Sequence, residues 1–293
     1  MLRVLVSLVA ALLLADLARA QERKPALPPG RDPGGVAIAI FLTGIDYTQT
    51  DIARRLARDG EGELIGWDVV DNDNRPFDKS RGQTPANWGG DGTELVRLIG
   101  ETGRRVIPVR IDPDNPVSLA RAVAFISRTP ARIVAVPLWS GQASDWEPFR
   151  QAALRFPDIL FLIAAGDDGK DLDRDPVWPA AFGLANVLVV TAPLAHAVET
   201  TPNSGARDVG ALVTASRQLM IAGGEAIRPP ESSRMAAVLA ADALAGCWPQ
   251  LVETLRGEAL KRALLAEAAK AWPGTERPVI ERCAGAAAPL PKR

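Results

Sequence analysis

The chain has 293 residues, 34 Lys and Arg against 35 Asp and Glu, and a formal net charge of -1. That balance, with no basic block, excludes an electrostatic nucleic-acid partner, and 47% hydrophobic residues exclude a chain too polar to fold. The single histidine, His196, excludes His-clustered metal sites and leaves any Ser–His or Cys–His mechanism one possible base.

Residues 1–20 read as a secretory signal. Arg3 supplies positive charge, an apolar run follows from Val4 to Leu14 broken only by Ser7, and Ala18-Arg19-Ala20 is a small-x-small cleavage site. The run is too short to span a bilayer, and no later segment has the ~18 continuous apolar residues of a spanning helix. The sequence therefore predicts an exported protein, periplasmic or secreted, with no membrane span after signal cleavage. Residues 21–35 form a Pro/Gly-rich linker, 36–270 one α/β domain, and 271–293 a C-terminal tail whose Ala/Pro-rich end is expected to be disordered. In an oxidising compartment Cys247 and Cys283 either form one disulfide or remain two separate buried thiols.

The first predicted element, Val36 to Leu42 (VAIAIFL), is apolar throughout and reads as a strand buried on both faces of a parallel sheet. A second strand is expected over 64–70, a helix over 92–100, a strand over 105–111, and a helix over 117–126 with Leu119, Val123 and Ile126 on one face. A strand over 133–138 precedes a helix that Ser144 would cap, with Glu147 completing a capping box. Further strands fall at 159–165 and 187–191. Ser232 or Ser233 opens a strongly apolar helix that runs to about Ala245. Strands alternating with helices predict a doubly wound parallel sheet with helices on both faces, and function at the carboxyl ends of its strands.

Several of these strand ends resemble segments of the subtilases, the subtilisin-like serine peptidases. AIFLTGIDYTQTDI (39–52) is similar to the strand that ends in the family's Asp-Thr-Gly-Ile-Asp, and GWDVVDNDNRPFD (66–78) to the segment that follows it. GGDGTELVRLIG (89–100) resembles the Gly-His-Gly-Thr-His helix start, and IVAVPLWSG (133–141) the strand flanking the substrate. ILFLIAAGDDG (159–169) resembles the stretch that supplies the oxyanion donor. WPAAFGLANVLVVTA (178–192) and ESSRMAAVLAADAL (231–244) resemble the next strand and the nucleophile helix. The segments occur in family order over residues 36–245. The resemblance implies a subtilisin-like fold and, in an intact member, serine-type endopeptidase activity without a cofactor.

The matching positions carry different chemistry. Leu42 stands at the family's catalytic Asp, Asp91 at its His, Arg234 at its nucleophilic Ser and Asp167 at its oxyanion Asn, while Glu94 replaces a second motif histidine. Leucine cannot orient a base, and a guanidinium is neither nucleophile nor acceptor. A carboxylate at the oxyanion position opposes the charge that develops there. Ser233 lies one residue from the nucleophile position, about 100° around a helix, and reads as an N-cap; His196 reads as an ordinary loop or surface histidine. The relatives called sedolisins use a Glu for the His and an Asp for the oxyanion residue, which Asp91 and Asp167 resemble, but they keep the nucleophilic Ser. The expectation is instead an ion-pair cluster in which Arg234 meets Asp91, Asp167 or both.

Asp71, Asp73 and Asp78 supply oxygens of the kind calcium takes, but the EF-hand spacing is absent and a polar turn is the favoured reading. Trp88, Trp139, Trp146 and Trp178 lie near the motif loops, either along a peptide groove or, more commonly for Trp, in partly buried core positions. Many subtilases carry a folding pro-domain, and here only the short stretch 21–35 lies between the expected cleavage site and the first strand. The sequence thus predicts an exported pseudoprotease with a binding or regulatory role toward a peptide or protein, and no cofactor or metal. The competing readings are an endopeptidase with a rearranged site and a structural or assembly component of the envelope.

Overall fold

The computed structural model describes residues 24–78, 90–193, 203, 211–214, 232–273, 275 and 277–281. Among the described residues eight parallel strands form one sheet: β1 (Val36–Leu42), β2 (Trp67–Asp68), β3 (Arg104–Arg110), β4 (Ile133–Val136), β5 (Leu160–Ala164), β6 (Val187–Thr191), β7 (Ala211–Thr214) and β8 (Val279–Glu281). Their order is β2-β3-β1-β4-β5-β6-β7-β8. The helices are α1 (Thr50–Ala53), α2 (Gly90–Arg97), α3 (Pro116–Ile126), α4 (Ala143–Arg155), α5 (Ser233–Cys247), α6 (Pro249–Thr254) and α7 (Gly257–Ala271), with a 3-10 turn at Ala180–Phe182.

β1 lies inside the sheet, in register with β3 from Val36 opposite Arg104 to Leu42 opposite Arg110, and with β4 on its other side. Its alternate residues enter two cores. Ile38, Ile40 and Leu42 pack with α5, α2 and α7, whereas Ala37, Ala39 and Phe41 pack with α3 and α4. Helices on both faces are the reason VAIAIFL carries no polar residue. α5 is buried on every side from Ala236 to Ala245, as expected of a helix that is apolar all round. The one charge in that stretch, Asp242, meets Arg104 at 2.6 Å and accepts the Gly100 amide at 2.8 Å.

The structure differs from the sequence-based expectation in several places. The strand expected over 64–70 shrinks to Trp67–Asp68, because the Asp68 carboxylate accepts the amides of Val70 and Asp71 and turns the chain. α4 starts one residue before Ser144, after Gln142. The Ser144 hydroxyl contacts Asp145, and Glu147 accepts hydrogen bonds from Arg150 and Gln151, so no capping box forms. Ser232, not Ser233, caps α5, accepting the Met235 amide. Part of the expected tail belongs to the sheet: β8 pairs with β7 through Leu212, Val213 and Thr214.

The described part of the Pro/Gly-rich linker has no helix or strand but is fastened to the domain. The Tyr47 hydroxyl donates to Pro25 O at 2.8 Å, an Arg58 Nη donates to Pro28 O at 2.8 Å, and Asp32 accepts the Arg58 amide at 2.7 Å. Cys247 is disulfide-bonded, and Cys283, the other of the chain's 2 cysteines, lies outside the described residues. The signal-like segment 1–20 and the end of the tail, 284–293, also lie outside them. Among the described residues no helix is long and apolar enough to cross a membrane.

Candidate functional site

β1 is flanked by β3 and β4, and from it the sheet grows in both directions, so its carboxyl end is the topological switch point where α/β sheets bind ligands. Three neighbouring strand ends, of β1, β4 and β5, meet there with the first turns of α2 and α5. Leu42 closes β1 at 3% exposure, packed in the core. The nearest following acid, Asp46, is 4% exposed, and its carboxylate accepts hydrogen bonds from Thr48 and Gln49 at the entry to α1.

Gly92 brings α2 to this strand end. A Cβ at that position would overlap the Gly44 carbonyl oxygen and lie 3.5 Å from Leu42 Cβ, so only glycine permits the approach. The backbone of Asp91 is thereby placed beside the end of β1, while its side chain lies outside the described residues. His196 and Trp88 also lie outside them.

Asp167 follows β5. Its Oδ1 accepts the backbone amide of Ser233 at 2.6 Å, and its buried Oδ2 has no hydrogen-bond partner among the described residues. Burial pushes this carboxyl above its ordinary value, while the Ser233 amide and the positive charge of Arg234 act in the opposite direction. Ser233 is wholly buried, and its Oγ accepts the Gly166 amide at 2.9 Å. This hydroxyl is therefore a brace between β5 and α5, with no route to solvent. Arg234 directs Nε to the carbonyl oxygen of Pro137, just past β4, at 3.1 Å. Of the expected cluster of Arg234 with Asp91, Asp167 or both, the Asp167 arm shows no ion pair, since the carboxylate accepts the helix amide and Arg234 Nε meets the strand end, and the Asp91 arm lies outside the described residues.

Trp139 and Trp178 lie together beside this strand end. The backbones of Ser140 and Trp178 exchange two hydrogen bonds of 3.0 Å, and Trp139 Nε1 donates to Asp168 at 3.2 Å. The Trp139 ring packs on Gly166, 3.2 Å from where a Cβ would stand. Both rings are half-buried. Trp146 does not join them; it is 4% exposed and packs edge-on against Phe149 in the core.

The carboxylates considered for calcium serve another cation. Lys24 Nζ lies 2.5 Å from Asp68, 3.0 Å from Asp71 and 2.9 Å from Asp73, and Arg110 contacts Asp68 and Asp71 at 2.8 and 3.0 Å. Asp78 stands apart, buried beside Ile45, whose carbonyl accepts its amide. Two cationic side chains thus neutralise the acidic turn, and among the described residues no acidic or His/Cys group is arranged to hold a metal. Asn203, which the sequence reading passed over, holds the loop after β5. It is 1% exposed, its Oδ1 accepts the amides of Asp168 and Lys170, and its Nδ2 donates to Ala165 O at 3.0 Å. As a single amide outside any periodic pattern, it gave no sequence signal.

Several solved structures share this architecture. A cold-adapted subtilisin-like serine proteinase aligns with TM-score 0.58 and 17% identity over 86% of this chain and 90% of its own. A lanthipeptide protease aligns with TM-score 0.57 and 14% identity over 81% of each chain. MycP1 with its N-terminal propeptide removed aligns with TM-score 0.51 and 19% identity over 80% of this chain and 84% of its own. No family model and no curated protein matches the sequence. The class that these findings define is one of architecture: a single α/β domain with the subtilisin-like fold.

Proposed function

We propose that this is an exported subtilisin-like domain without peptidase activity, with a binding or regulatory role toward a peptide or protein. The first turn of α5 carries the reading. The residue that the resemblance assigns to the nucleophile is Arg234, engaged with Pro137 O, and the adjacent Ser233 hydroxyl is buried against the Gly166 amide. Neither offers an oxygen that a base could activate. The Asp167 carboxylate takes a helix amide that could otherwise stabilise an oxyanion. The half-buried pair Trp139 and Trp178 beside the Ser140 backbone favours contact with a peptide, since aromatic anchors dominate such interfaces.

The test is to incubate the mature protein with fluorescent casein and with a fluorophosphonate serine probe, beside an active subtilisin. No cleavage and no labelling are expected. Labelling at Ser232 or Ser233 that disappears on alanine substitution would establish the competing endopeptidase reading. Binding is tested on a peptide array with Trp139→Ala and Trp178→Ala; unchanged capture in both variants would remove the groove from the proposal.

A further inference from the structure

At the amino ends of the strands, the opposite end of the sheet from Leu42 and Asp167, a pocket of about 660 Å³ opens between the starts of β1 and β3, the entry to β4, and the α5–α6 junction. Four arginines line it, Arg104, Arg105, Arg132 and Arg256, against one acid, Glu253. Two of the four are neutralised: Arg104 by Asp242 at 2.6 Å and Arg105 by Asp32 at 3.2 Å.

The other two keep their charge. Among the described residues neither Arg132 nor Arg256 has a carboxylate partner. Each is fixed through Nη1 to backbone carbonyls: Arg132 to Thr129 O and Ala131 O at 3.1 and 3.0 Å, and Arg256 to Val252 O, Glu253 O and Leu255 O at 2.9, 3.1 and 2.7 Å. The carbonyls hold the guanidinium planes without cancelling a full charge, and those at the end of α6 have their own partial negative charge offset. The Nε and Nη2 donors of both side chains have no protein partner among the described residues. These are half-buried, pre-oriented forks of the kind that bind oxyanions in two-point contacts.

We propose that this pocket binds a small molecule bearing a phosphate group, with Arg132 and Arg256 as its anion contacts. A phosphate dianion matches two uncompensated guanidiniums, whereas a single carboxylate matches one. The volume lies within the roughly 300–1,000 Å³ of small-ligand sites. The site shares no residue with the strand-end cleft, so each proposal stands or falls without the other.

The probes are pyrophosphate and inorganic phosphate, titrated calorimetrically into the mature protein at fixed ionic strength and followed in parallel by thermal unfolding. Saturable binding of pyrophosphate is expected, with a raised Tm. Arg132→Ala and Arg256→Ala should each weaken it by roughly tenfold, the loss of one charge-assisted contact. Arg132→Lys and Arg256→Lys, which keep the charge but not the fork, should weaken it less. Glu253→Gln, at an exposed position with little bearing on folding, should tighten binding by removing the one opposing charge. The proposal is overturned if chloride or sulfate at matched ionic strength gives the same Tm shift, if citrate binds more tightly than pyrophosphate, or if the arginine variants bind unchanged. Should an alanine variant fail to fold, Glu253→Gln decides: unchanged or weakened binding refutes the site.

Discussion

Replacing Asp242 with Ala should be among the most damaging single changes in this protein. The carboxylate sits inside α5 with 0% side-chain exposure, 2.6 Å from an Arg104 that is itself 3% exposed, and it also accepts the Gly100 amide at 2.8 Å. Removing it leaves a nearly buried guanidinium without its carboxylate and a buried N–H without its acceptor. Breaking one side of a buried pair costs about 3–5 kcal/mol, and in a domain of this size each kcal/mol moves Tm by about 2–4 °C. Urea and thermal unfolding should therefore show a loss of about 3–5 kcal/mol and a Tm lower by about 6–20 °C. Asp242→Asn, which keeps an acceptor for Gly100, should cost less. The pair Arg104→Met with Asp242→Leu should recover most of the loss, because the charge to be solvated is gone. Gly246→Ala should mimic part of the damage, since its Cβ would overlap Arg104 Nη2. If Asp242→Ala falls within about 1 kcal/mol of wild type, or the double variant merely sums the two singles, the pair is not the buried, coupled unit described.

Three further outcomes follow from the site's geometry. Gly92→Ala should cost about 1–3 kcal/mol in urea denaturation, because α2 must move off the Gly44 carbonyl; an unchanged midpoint would mean that the contact is soft. Burial raises the Asp167 carboxyl above its ordinary 3.8, so its stability contribution is fully present below that value and is lost as pH rises through the higher folded one. Asp167→Asn should then match wild type in acid and be the more stable at neutral pH, and parallel stability profiles from acid to neutral would contradict this. Lys24→Ala removes an ammonium that is 6% exposed and held by Asp68, Asp73 and Asp71. It should cost about 1–3 kcal/mol and speed thermolysin cleavage within residues 24–35; wild-type cleavage rates would show that the remaining contacts suffice to dock the segment.

How far the sequence showed this fold depended on how many faces of an element are covered. β1, β5 and β6 are buried on both faces, which leaves short, almost wholly apolar runs of strand length. α3 was visible from its period, because Leu119, Val123 and Ile126 face one core. β7 and the edge strand β8 are four and three residues long, too short to show a period of two. α7 buries only Leu260, Leu264 and Ala268 besides its first residue, a stripe diluted by exposed alanines. β2 was overextended because nothing local shows that the Asp68 side chain will cap its own backbone. At the site, the motif segments meet at the strand ends, and of the expected side-chain cluster only the arm between Arg234 and Asp167 falls among the described residues, where no ion pair joins them. Asp167 can satisfy either a guanidinium or an amide, and only tertiary geometry decides between them.

That choice bears on what the cleft can bind. The amino end of α5 is a place where positive helix charge and unpaired N–H groups favour an anion. Here the chain supplies its own acceptors. Ser232 Oγ takes the Met235 amide, Asp167 takes the Ser233 amide at 2.6 Å, and the Ser233 hydroxyl turns back to Gly166. A ligand with a developing or fixed negative charge would meet the Asp167 carboxylate at the place where a subtilisin-like enzyme needs donors. What the cleft still presents is the half-buried surface of Trp139 and Trp178 and the backbone around Ser140, which suit an uncharged stretch of extended peptide. The core beneath does not depend on the cleft. Leu42 is packed within it, and the first turn of α5 finds acceptors in the chain itself, so the helix start is held without a ligand.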